Sequence, residues 1–136
     1  VGEGPKREIG FEPIHPTGDA AHDLLFSHLA DGDLAFQWHM DAFELPEGAT
    51  LLATGNHVAN QAFRVGDLAW GTQFHCEVNL SELDFWLEEF AKEGDLRSEW
   101  GKSPQQVREE AGRFMAEHES RGREVFERFT LLATGS

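Results

Sequence analysis

Apolar positions along the chain follow two periods, and the change between them divides it. Lys6 to Pro16 predicts a strand, with Ile9, Phe11 and Ile14 apolar between polar neighbours. Asp19 is placed to cap a short helix over Ala21 to Leu29, stopped by Asp31-Gly32. Leu34 to His39 and Thr50 to Thr54 predict two more strands, with a turn at Leu45-Pro46-Glu47-Gly48 between them. Gln61–Val65 and Leu68–Phe74 flank Gly66-Asp67 and predict a hairpin with a two-residue link, since Gly accepts positive φ without strain. Past Glu77 the period becomes helical. Ser81 with Asp84 predicts a capped start, and Leu83, Trp86, Leu87 and Phe90 fall on one face. Ser103-Pro104 with Gln106 predicts a second helix carrying Val107, Ala111, Phe114, Met115 and His118. Gly122 predicts a break before a third stripe of Val125, Phe126, Phe129 and Leu132. The expectation is an α/β fold: strands over residues 1–80 form one side of a mixed sheet, and a helical tail over 81–136 packs on it.

Length and charge narrow the function. A chain of 136 residues is the size of one domain. Its net charge of −14 leaves no basic footprint for nucleic acid. No apolar run approaches the roughly 18 residues of a membrane span, and residues 1–6 hold no targeting core. The absence of an initiator Met suggests a true start further upstream. Cys76, the single cysteine, rules out an internal disulfide framework and a multi-cysteine zinc site, which favours the cytoplasm.

The candidate chemistry centres on Phe74-His75-Cys76-Glu77. In a strand, side chains two apart share a face, so His75 and Glu77 should point one way and Cys76 the other. A carboxylate beside an imidazole raises its basicity and fixes its tautomer, giving the base half of a nucleophilic relay. The same spacing suits a structurally bonded histidine. His22, His28 and His118 read as surface or core-edge residues, His15 and His57 as loop residues, and the four Trp and eleven Phe as core.

The wider segments favour the relay. Gly71-x-Gln73-Phe74-His75-x-Glu77 resembles the His/Glu motif of class I glutamine amidotransferases. Trp38 to Ala49, with its His39-Met40-Asp41, is similar to that family's His-x-Asp segment. Leu52-Ala53-Thr54 through Asn60 to Arg64 and Pro5 to Ile14 resemble further segments of the stand-alone and GMP-synthase-type glutaminase domains. The resemblance implies a flavodoxin-like fold and a Cys-His-Glu triad needing no cofactor or metal. His75 would be its general acid/base and Glu77 its orienter. His39, Met40 and Asp41 would lie near bound glutamine, and an ammonia-accepting synthetase domain or subunit would be the partner. One departure is decisive: the family's Gly-x-Cys-x-Gly elbow is absent, and Cys76 stands where the family often has Pro. The chain then reads as the C-terminal portion of a longer amidotransferase domain, with nucleophile and oxyanion hole upstream. Other γ-glutamyl amides could undergo the same chemistry. Two competing readings are a non-catalytic binding module of the same fold and a metal site in which His39, Asp41, His75 and Glu77 converge on iron, manganese or zinc.

Overall fold

In the computed structural model, which describes residues 2–134, five strands curl into one sheet and three helices follow them. Val1, Gly135 and Ser136 lie outside the described residues. The strands are β1 (Gly2–Pro16), β2 (Asp33–Ala42), β3 (Ala49–Gly55), β4 (Asn60–Val65) and β5 (Ala69–Thr72). Their order across the sheet is β2-β1-β3-β4-β5. The long β1 makes this possible. Its middle pairs with β2 (Ile9 with Trp38, Phe11 with Phe36), and its end pairs with β3 (Ile14 with Gly55, Pro16 with Ala53). Each pairing among the described residues is antiparallel, so the parallel partners of a mixed sheet are not among them.

The helices are α1 (Leu80–Ala91), α2 (Leu96–Trp100) and α3 (Pro104–Thr134). They cover one cluster of core residues, in which Ile9, Phe11 and Phe36 meet Val78, Leu83, Leu87, Val107, Ala111 and Met115. A second cluster joins Ile14, Ala35, Leu52, Ala62 and Phe74 to Leu25, Phe26 and Val125. Ala35 and Phe36 are neighbours on β2 yet serve different clusters, as the alternation of side chains along a strand requires.

Four local expectations are corrected. The helix expected over Ala21–Leu29 is a short 3-10 segment, Gly18–His22, followed by turns. Helix propagation stops because Asp23 is buried and its Oδ2 accepts from the amides of Leu25 and Phe26. The β4–β5 loop has three residues: Val65 pairs with Ala69, and Gly66 takes φ +64°, so Leu68 is exposed in the loop. The cap of α1 is Asn79, whose side chain accepts from the amide of Glu82 at 2.9 Å. Gly122 does not break α3, which runs unbroken for 31 residues while α2 supplies the third helix. Gly122 is buried, and a Cβ there would collide with the Cys76 carbonyl oxygen. Beyond it only Val125 of the expected stripe is fully buried; Phe126 and Phe129 remain exposed.

Candidate functional site

The segment after β5 carries the candidate histidine, and backbone bonds set its path. Gln73 N–H donates to the Gln61 carbonyl of β4 at 2.8 Å. Two residues later, His75 N–H donates to the Phe36 carbonyl of β2 at 2.9 Å. The chain thus leaves one end of the sheet order and lands on the other. His75 lies three residues past β5 rather than within a strand.

His75 Nδ1 stands 2.9 Å from Glu77 Oε1, and Nε2 stands 3.2 Å from the Trp38 carbonyl of β2. Both partners are oxygen acceptors, and the tautomer decides which of them receives the ring N–H. The ring packs edge-on against Trp86 at 5.4 Å and tilted against Phe36 at 6.2 Å. It is partly exposed, and Glu77 is exposed. The arrangement is an imidazole held in place by a carboxylate on one nitrogen and a backbone carbonyl on the other.

Cys76 faces the other way, against the second core cluster, and shares a cavity wall with Leu25, Phe26 and Val125. Burial, and secondarily the Glu77 charge, push its thiol upward from the usual range. It is a poor nucleophile turned away from the base.

Two residues of α3 that sequence reasoning set aside fix this loop. His118, expected at the surface or core edge, is 2% exposed. Its Nε2 donates to the His75 carbonyl at 2.6 Å, and its ring stands edge-on to Phe11 at 5.8 Å. Burial holds its pKa below the ordinary range for histidine. One turn on, Gly122 gives the Cys76 carbonyl room. Consecutive carbonyls of the His75–Cys76 segment therefore rest on positions i and i+4 of one helix. The spacing from Ala111 through Met115 to His118 was the available signal, because it continues the buried stripe of α3.

The His39-Met40-Asp41 segment lies near the end of β2, one residue past the Trp38 carbonyl that touches His75. The His39 ring is itself enclosed. Gln61 Nε2 donates to the Val58 carbonyl at 3.0 Å, which leaves Gln61 Oε1 to accept from Gln37 Nε2 at 2.9 Å. Gln37 Oε1 then accepts from His39 Nε2 at 2.9 Å, while Nδ1 faces the Asp41 carbonyl at 3.0 Å. Glu8, 3% exposed, places Oε1 3.1 Å from the same Nε2, off the hydrogen-bond direction that Gln37 occupies. The His39 ring is therefore committed to an internal relay, with the Glu8 carboxyl group beside it. Met40 and Asp41 are exposed, and with the backbone they are what this segment offers a ligand. Among the described residues, no three His, Cys, Asp or Glu side chains converge as metal ligands.

No family model matches the chain. It is 39% identical over 79 residues to the glutamine-hydrolyzing GMP synthase of Bacillus licheniformis, covering 57% of this chain and 15% of that protein. It is 27% identical over 93 residues to a glutamine amidotransferase-like protein of Salmonella typhimurium, covering 68% of this chain and 39% of that one. Among solved structures, a glutamine amidotransferase from Thermotoga maritima superposes with a TM-score of 0.79 at 31% identity, over 93% of this chain and 53% of that one. A glutamine amidotransferase from Methylobacillus flagellatus, at 24% identity and a TM-score of 0.81 over 94% of this chain and 53% of its own, supports the fold alone. The chain thus spans about half the length of these structures and 15% of the GMP synthase. The α/β architecture is that of their flavodoxin-like fold. Among the described residues, no helix is long and apolar enough to cross a membrane.

Proposed function

We propose, for a chain homologous to the class I glutamine amidotransferases, that it carries the base half of a glutamine-hydrolysing site. His75 is the general acid/base, and Glu77 holds its tautomer and orientation. The observation that carries this reading is the His75–Glu77 contact of 2.9 Å, on a loop whose carbonyls are fixed by α3. The nucleophile is a cysteine other than Cys76, supplied by polypeptide beyond these 136 residues or by a second subunit. Its sulfur attacks the side-chain amide carbon of glutamine. His75 accepts the thiol proton as the sulfur attacks, delivers it to the departing ammonia, then takes one from the water that releases glutamate from the thioester and returns it to the leaving sulfur. His75 Nε2 must give up the Trp38 carbonyl to meet that sulfur, a small rotation for a partly exposed ring. Met40, Asp41 and the adjoining backbone border the substrate, while the His39 side chain acts from behind as a buried support. The ammonia goes to an acceptor site on a synthetase domain or subunit, and the whole works in the cytoplasm.

The test is glutamate release from glutamine, measured on the 136-residue chain and on the polypeptide extended by the upstream part of its reading frame. The short chain should show no turnover, since an imidazole without its nucleophile cannot form the thioester. The extended protein should turn over. His75→Ala should remove that activity and Cys76→Ala should leave it nearly intact. Turnover by the short chain that Cys76→Ala abolishes would overturn the reading, as would an inactive extended protein.

A further inference from the structure

A cavity of about 440 Å³ opens on the helical side of His75. Its walls are aromatic to an unusual degree: Trp38, Trp86, Trp100 and Phe90 line it, together with His75 and the carboxylates of Glu89 and Glu93. Trp38 is the common partner of the other rings. The other three rings stand around it at centroid distances of 6.2, 6.0 and 6.3 Å, inclined to it by 71° (Trp86), 60° (Phe90) and 82° (Trp100). Three rings inclined steeply to a fourth, all lining one cavity, give it an aromatic wall of mixed edges and faces. No Lys or Arg lines the cavity. Glu89 is shared with Lys92 at 2.9 Å, while Glu93 has no ion-pair partner among the described residues. One wall already attracts a cation in this fold: the Arg7 guanidinium, which is not part of the cavity lining, stands 5.7 Å from the Trp100 ring centroid.

We propose that this cavity binds an organic cation of the substituted-ammonium class. Rings without a cation need only be packed, and an apolar ligand would satisfy them. Carboxylates at the same opening favour positive charge, and the ring quadrupoles attract a diffuse alkylated cation that is cheap to desolvate. A small hydrated metal ion fits poorly, because the lining carboxylates are too few to replace its water. The cavity shares His75 with the proposed hydrolytic site, but cation binding needs no nucleophile and is read separately from glutamate release. Loss of one activity leaves the other readable.

The probe is tetramethylammonium, with tert-butyl alcohol as a neutral molecule of similar size. Three of the four Trp residues line the cavity, so Trp emission reports on its occupancy. The purified protein should show saturable quenching by tetramethylammonium, and the alcohol should bind about tenfold more weakly or not at all. Trp100→Leu, checked for folding by circular dichroism, should weaken cation binding about tenfold. The exposed Glu93→Gln, which leaves packing untouched, should weaken it about threefold and blunt its salt dependence. Equal affinity for the two probes would mean a merely apolar slot and overturn the proposal. So would quenching that never saturates, or unchanged affinity in Trp100→Leu. Should that variant not fold, Glu93→Gln decides, and unchanged affinity there overturns it.

Discussion

His75 and Cys76 are adjacent in sequence and face opposite cores, and this separation governs their chemistry. The thiol, pushed up by burial first and by the Glu77 charge second, should stay protonated at neutral pH. Alkylation of the folded protein by iodoacetamide should be slow at pH 7 and accelerate only above the ordinary thiol value of 9.0. Mass-spectrometric rates across pH check this, and fast labelling at pH 7 would contradict it. The stability linkage has a definite sign. A raised thiol pKa means that this contribution is present below 9.0 and lost as pH rises beyond it. His118 works in the opposite sense. Its pKa is lowered by burial, so its contribution is present above 6.5 and is lost as pH falls, when the unfolded chain takes up the proton first. The melting temperature should therefore fall from pH 7 towards pH 5. His118→Gln, which keeps a donor for the His75 carbonyl, should flatten that slope. A residual slope should remain from His28, whose pKa burial also lowers, opposed by His15, whose contact with Asp31 raises it. An unchanged slope in the variant would count against the buried neutral imidazole. At this scale the His75-x-Glu77 pair is legible in the amino-acid sequence, but not the turn that brings the two side chains together in place of the expected strand. The role of His118 is not legible either: its place on the apolar stripe is visible there, but only the fold brings the His75 carbonyl to it.

Gly122 decides the packing of α3, and it misleads a reader of the sequence for a physical reason. A glycine in a helical pattern reads as a break, since it costs about 1 kcal/mol against alanine. Here the helix continues because the missing Cβ lets the Cys76 carbonyl approach, and the same bare backbone serves both elements. Gly122→Ala should accordingly lower stability, although it raises helix propensity. Urea unfolding checks the sign, and a gain would show that the loop can move aside. Asn79→Ala should cost about 1 kcal/mol through loss of the α1 cap. The sequence period placed α1 and the first half of α3 well, because their buried faces repeat at helical spacing. Capping was misplaced by two residues at Ser81, since Asn79 competes for the same task and only the backbone path chooses between them. The Gly-Asp turn was legible as a hairpin but not its length, which the pairing of Val65 with Ala69 settles.

For the molecule as a whole, the strand-then-helix order was readable from the change of period near Glu77, and the α/β class with it. Sheet order was not. Long-range contacts that no local pattern encodes create it, and Asp23 is one of them. Its buried carboxylate joins Arg64 of β4 at 2.6 Å and the Trp70 indole of β5 at 3.1 Å, while also capping the turn at Leu25 and Phe26. Removing it would leave a guanidinium, an indole N–H and two amides without partners. Asp23→Ala should cost about 3–5 kcal/mol in urea unfolding, with Asp23→Asn costing less. A loss below about 1 kcal/mol would mean that water replaces the carboxylate freely. The return of the chain from β5 to β2 reaches further. Because the His75 amide is bonded to Phe36, its proton is guarded by the stability of a strand that belongs to the opposite edge. In deuterium oxide that single amide should persist for as long as those of β2, while the exposed amides around it are replaced early. The loop bearing the histidine would then open only when the sheet itself does.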